Sequence, residues 1–140
     1  MKKYLLSVLF ALSLASVLTA ESIRIKVEGP EDSYNQIRII NNTKYSDFDV
    51  KVYLLKEKDE KFIIKDTLGV FHLKGFFDTD SNKVDVSRKS YIGLSLPEEL
   101  GDISYSVTYK DLPFFDAIEI FLFDGVIDKY GEDPQGKEFI

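Results

Sequence analysis

From Ile23 onward the chain alternates apolar and polar residues, run after run. Ile23, Ile25 and Val27 alternate with Arg24, Lys26 and Glu28. Phe48, Val50, Val52 and Leu54 alternate with Asp49, Lys51 and Tyr53. Ile103, Tyr105, Val107 and Tyr109 alternate with Ser104, Ser106 and Thr108. A period of two places every apolar member of a run on one face of an extended strand, and a helix cannot use it. Ile37 with Ile39, Phe62 with Ile64, Phe71 with Leu73, and Tyr91 to Leu96 add shorter runs. Ile118, Ile120 and Leu122 face one way and Phe121 and Phe123 the other. That pattern predicts a central strand covered on both sides.

Turn signals separate the runs. Gly29-Pro30-Glu31-Asp32, Asn41-Asn42, Lys56 to Lys61 and Asp111-Leu112-Pro113 break the pattern, and Asp78 to Lys83 reads as a polar loop. Gly69 inside a strand marks a bulge or bend. Only Pro97 to Leu100 suits a helical turn, so the crossover helices of a parallel α/β fold are missing. The expectation is an all-β chain. It should form an immunoglobulin-like or fibronectin-like antiparallel β-sandwich of seven or eight strands, with a small β-barrel as the alternative.

The first twenty residues have another layout. Lys2 and Lys3 precede an apolar run from Leu5 to Leu18, and Leu18-Thr19-Ala20 follows. This is the layout of a secretory signal peptide cleaved after Ala20. The run is too short for a spanning helix, which needs about 20 residues. The short Lys-Lys start is bacterial in style. The expected organisation is a signal peptide over 1–20, one β-domain over 21–125, and a short last strand or acidic tail over 126–140. Asp124-Gly125 would turn that last hairpin. Phe139 and Ile140 either dock back onto the body or stay apart from it.

Cleavage removes two lysines and no acid, so 18 Lys+Arg become 16 against 24 Asp+Glu, a net charge of −8. Such a chain is not expected to bind nucleic acid or an anionic membrane surface, and no later run would anchor it in a membrane. There is no cysteine. Thiol catalysis, disulfides and thiolate metal sites are therefore excluded, and packing alone must hold the domain.

Little in the sequence suggests catalysis. His72 is the sole histidine. It lies between Phe71 and Leu73 in a strand and points away from both. Neither Gly-x-Ser-x-Gly nor Ser-x-x-Lys occurs, so the chain is not expected to be an enzyme. Asp78, Asp80 and Asn82 have the D-x-D-x-N spacing that opens an EF-hand calcium loop. The rest of that motif fails, because Lys83 replaces the turn glycine and Lys89 the bidentate glutamate; Asp85 is a spare oxygen ligand. No cofactor is expected otherwise, and the plain alternative is a polar hairpin loop.

Two aromatic pairs, Phe76-Phe77 and Phe114-Phe115, sit beside loops. On an extended chain one ring of each pair enters the core and the other needs a separate cover or a partner. Tyr45, Tyr53, Tyr91, Tyr105 and Tyr109 are candidates for an aromatic platform. Asn41-Asn42-Thr43 matches a glycosylation sequon, and it also reads as the turn between two strands. These features point to an exported, non-enzymatic binding module of a bacterial envelope or secretome, periplasmic or extracellular. Its partner would be a protein or an envelope component, met by loops near Asp78–Lys83 and Asp111–Phe115 at one end. A calcium- or glycan-binding sandwich is the second reading, and a secreted protease inhibitor the third.

Overall fold

The computed structural model describes residues 21–125. Eight strands follow one another: β1 (Glu21–Lys26), β2 (Ser33–Asn42), β3 (Phe48–Lys58), β4 (Lys61–Leu73), β5 (Thr79–Ser87), β6 (Tyr91–Leu96), β7 (Ile103–Leu112) and β8 (Phe115–Asp124). They form two four-stranded sheets, ordered β1-β6-β3-β4 and β5-β2-β8-β7. No described strand pairs from one sheet to the other, so the barrel alternative gives way to the sandwich. The expected segments 1–20 and 126–140 lie outside the described residues. Among the described residues, no helix is long and apolar enough to cross a membrane.

Period-two alternation does what it predicts. Ile23 and Ile25 of β1, Val50 and Val52 of β3, and Ile92 and Leu94 of β6 are buried between the sheets. β8 lies between β2 and β7, and its Ile118, Ile120 and Leu122 are fully buried. On its other side Phe121 and Phe123 are half-buried, as a two-sided central strand requires.

Three features differ from the expectation. First, β2 and β8 run parallel, from Gln36 opposite Ala117 to Asn42 opposite Phe123, while every other pair is antiparallel. Parallel neighbours need a long connection, and the five strands between β2 and β8 supply one. Second, the strand order departs from the A-B-E-D and C-F-G order of immunoglobulin constant domains. Likeness to that fold is limited to the two-layer architecture. Third, Thr79–Ser87 is the edge strand β5, where the sequence reads as a loop from Asp78 to Lys83.

The β1–β2 connection is held by tyrosines. Tyr34 and Tyr109 pack with ring centroids 5.3 Å apart. The N–H of Glu28 donates to the Tyr109 hydroxyl and that of Glu31 to the Tyr34 hydroxyl, at 2.9 and 3.0 Å. A side chain at position 29 would overlap both tyrosines, so the close approach requires Gly29.

Candidate interaction surface

The connection between β4 and β5 is a tight turn built from the wrong residues. Asp78 N–H donates to the Gly75 carbonyl at 3.0 Å, closing a four-residue turn with Phe76 and Phe77 at its centre. Phe77 has φ 66°, a left-handed value that glycine or asparagine adopts and a bulky residue avoids. The turn therefore does not send its two rings to opposite faces as an extended chain would. The rings pack together at 4.2 Å, and Phe76 and Phe77 are 66% and 65% exposed.

Asn41 holds this turn in place. Its carbonyl accepts from Phe77 N–H at 2.6 Å, and its own N–H donates to the Asp78 carbonyl at 2.9 Å. The Asn41 side chain is fully buried. Its amide donates to the carbonyls of Gly75 and Tyr45 at 3.0 and 2.9 Å. Its oxygen accepts from the N–H and hydroxyl of Thr43 at 2.9 and 2.6 Å. The Asn-x-Thr spacing is thus an Asx turn, and both hydrogens of the sequon amide are engaged inside the fold. Beside Phe76 lies a groove of ≈ 360 Å³ walled by Thr43, Lys44, Tyr45 and Asp124.

Asp78, Asp80 and Asn82 do come together, but around a main chain. β5 lies next to β4 along one side of the sandwich, in the other sheet. Lys74 N–H donates to the Asp78 carboxylate at 2.7 Å, and His72 N–H to Asp80 at 3.0 Å. The Asn82 amide donates to the Leu68 carbonyl at 2.7 Å. Three residues two apart, Asp78 just before β5 and Asp80 and Asn82 within it, thereby cap the outer main-chain edge of β4. Strand pairing would otherwise satisfy these groups, and leaving them bare invites another chain. Gly69, at φ 152°, sits in the β4 bulge, where an added Cβ would lie 2.6 Å from the Asn82 amide. The second Asp80 oxygen accepts from Ser81 N–H at 2.9 Å. The side chains of the D-x-D-x-N motif are thus engaged with main-chain N–H groups and a carbonyl.

His72 lies on the outer face of β4, opposite Asp49 of β3. Its Nδ1 is 2.7 Å from the Asp49 carboxylate, and its Nε2 is 3.7 Å from that of Asp47. The hydrogen bond to Asp49 raises its pKa above 6.5, with both aspartate charges adding to the effect. Both ring nitrogens thus face carboxylates and neither faces a hydroxyl, which is not the geometry of a nucleophile–base pair.

Sequence reasoning missed one cluster. Carboxylate oxygens of Glu31, Asp111 and Asp116 lie within 4.8 Å of one another. Burial, then the hydrogen bond and charge of Asp111, raise the Asp116 pKa above 3.8. Among the described residues this is the acidic trio whose oxygens a hard divalent cation could share. The three come from the β1–β2 connection and the β7–β8 hairpin, about 80 positions apart, so no local spacing announces them.

The remaining candidates are scattered. Phe114 is 96% exposed at the tip of the β7–β8 hairpin, and Phe115 opens β8. The two aromatic groups do not share one end of the sandwich. Phe114 lies by Asn35 and Gln36 at the start of β2, and Phe77 by Asn41 at its finish. Those ends are about 17 Å apart along the strand. The five tyrosines form no common platform either. Tyr109 supports Gly29, the Tyr45 hydroxyl accepts from Gly101 N–H at 2.8 Å, and Tyr53 and Tyr91 lie on the other sheet.

No protein-family model, curated protein or solved structure matches this chain.

Proposed function

We propose that this chain is an exported, non-enzymatic module that recognises a protein partner through the Phe76–Phe77 turn. One observation carries the reading: Phe77 is held at φ 66° while its ring and that of Phe76 stay exposed. A left-handed non-glycine residue costs about 1–2 kcal/mol. Each ring left in water forgoes a further ~1.5–3 kcal/mol of burial. A turn with glycine or asparagine at position 77 would avoid the strain and one of the two exposed rings. Strain combined with exposed aromatic surface is what binding sites retain.

A protein partner suits these side chains. Rigid aromatic anchors carry much of the energy of protein interfaces. The Asn41 network fixes the rings before a partner arrives, which reduces the ordering cost of binding. The export reading rests on Lys2, Lys3, the apolar run from Leu5 to Leu18, and Ala20. The non-enzymatic reading rests on a sole histidine whose two ring nitrogens face Asp47 and Asp49.

The test is comparative capture from envelope and culture-medium fractions, with the wild type and two variants as bait. Phe76→Ser with Phe77→Ser removes both rings. Phe77→Asn removes one ring and suits the left-handed turn. Its relief of about 1–2 kcal/mol offsets a lost ring pair of about 0.5–1.5 kcal/mol, so its melting temperature should hardly move. A protein retained by the wild type and lost from both folded variants supports the turn as the contact. Equal retention by all three would place the contact elsewhere.

A further inference from the structure

The outer face of the sheet β1-β6-β3-β4 carries a second surface of different chemistry. Pairing across β1, β6 and β3 aligns Lys26, Tyr91 and Leu55 in one row of that face. Arg24 lies one step along β1 on the same face. Its guanidinium sits 4.0 Å over the Phe62 ring, and Phe62 and Tyr91 pack at 4.7 Å with their planes tilted by 59°. The Lys26 ammonium is 5.9 Å from the centre of the Tyr91 ring. Leu55, though it faces outward, is only 5% exposed in the same row. Lys51 adds an exposed cation further along β3.

Among the described residues, none of Arg24, Lys26 and Lys51 has a carboxylate within salt-bridge distance. A chain of net charge −6 thus places three cations without salt-bridge partners on a sheet face that carries two half-buried rings, with Glu57 opposite Phe62 and Asp49 beyond Lys51 as the acids of the same face of β3. Stacking the cations on rings leaves their charge available and fixes their heads in place. Four strands make a face about 14 Å wide, enough for an extended ligand to cross.

We infer that this face binds an acidic polysaccharide, with its sugar rings against Phe62 and Tyr91 and its carboxylates against Arg24 and Lys26. A pyranose presents a patch of C–H hydrogens of slight positive charge, which complements the negative face of an aromatic ring. Its carboxylates supply charge complementarity to the unpaired cations. A denser polyanion, such as nucleic acid, would meet repulsion from the rest of an acidic surface. The surface is separate from the Phe76–Phe77 turn, so this inference stands apart from the protein-partner reading.

The test titrates the purified protein by calorimetry with polygalacturonate, with neutral dextran, and with a single-stranded DNA oligonucleotide. The expected result is binding to polygalacturonate alone. Arg24→Gln with Lys26→Gln should weaken it about tenfold or more, the loss of one charge-assisted contact being sufficient for that. Phe62→Leu, which keeps an apolar side chain in place, should also weaken it. Absence of binding to polygalacturonate overturns the inference. So does equal binding to dextran or DNA, or affinity unchanged in both folded variants.

Discussion

Phe77 donates its main-chain N–H to the carbonyl of Asn41 at 2.6 Å, so the exposed aromatic turn is tied to the end of the central strand β2. The two residues have opposite characters. Asn41 is fully buried with its side chain saturated by partners, and Phe77 is exposed and left-handed. Interior hydrogen bonds at Asn41 hold a conformation that Phe77 would not choose by itself.

Asn41→Ala should therefore be among the costlier single changes in the domain. It leaves the carbonyls of Gly75 and Tyr45 and the N–H of Thr43 without their partner. Unsatisfied buried groups cost about 1–3 kcal/mol each, and partial relaxation of the loops should hold the total near 3 kcal/mol. Urea unfolding would show this as a lower midpoint at unchanged slope. A loss under about 1 kcal/mol would mean that the turn is held by its main-chain bonds instead.

Alternation marks β1, β3, β6 and β7 because their inward positions are apolar, as with Ile23 and Ile25 or Val50 and Val52. β5 keeps the same period, but its inward positions next to β4 are Asp80 and Asn82, which serve the edge of a neighbouring strand. A polar residue with a main-chain partner resembles a loop residue until the partner is seen. Periodicity also carries no direction, so the parallel pairing of β2 with β8 was not legible. The Phe76–Phe77 site was legible as an aromatic pair. Its geometry was not, because the turn places phenylalanine where turn chemistry calls for glycine.

The cap on β4 predicts a stability effect independent of calcium. Asp80→Ala removes the acceptor for His72 N–H, at the sheet edge where water can partly replace it. The expected loss is about 1 kcal/mol, at the lower end for a bond to a charged group. Millimolar calcium should shift the melting temperatures of wild type and variant equally. A calcium-dependent stabilisation found in the wild type and missing from the variant would restore Asp78, Asp80 and Asn82 as ligands.

His72 should give the domain a pH dependence with a definite sign. Its folded pKa is raised above 6.5, chiefly by the hydrogen bond to Asp49. A raised pKa means that the folded state binds the proton more tightly than the unfolded state. The resulting stability is fully present below 6.5 and is lost as pH rises through the folded value. Melting temperatures should then fall between about pH 6 and pH 8 in the wild type, the range in which an imidazole titrates. His72→Gln should lose that slope. An unchanged slope in the variant would assign the effect to other groups.

Asp116 titrates in the same direction from a lower starting point. Its pKa is raised above 3.8, first by burial and then by the hydrogen bond and charge of Asp111. The folded state thus prefers the protonated form, and the associated stability is lost as pH rises through the folded value. At neutral pH the Glu31, Asp111 and Asp116 oxygens within 4.8 Å of one another repel. Asp116→Asn removes one charge and keeps a donor for Asp111. It should raise the melting temperature at pH 7 and lose that advantage near pH 3, where aspartate largely carries its proton. Scanning calorimetry in the presence of a chelator checks both. A lower melting temperature for the variant at pH 7 would mean that the third carboxylate stabilises the folded state in spite of the repulsion, and the trio would then have to be read as attractive.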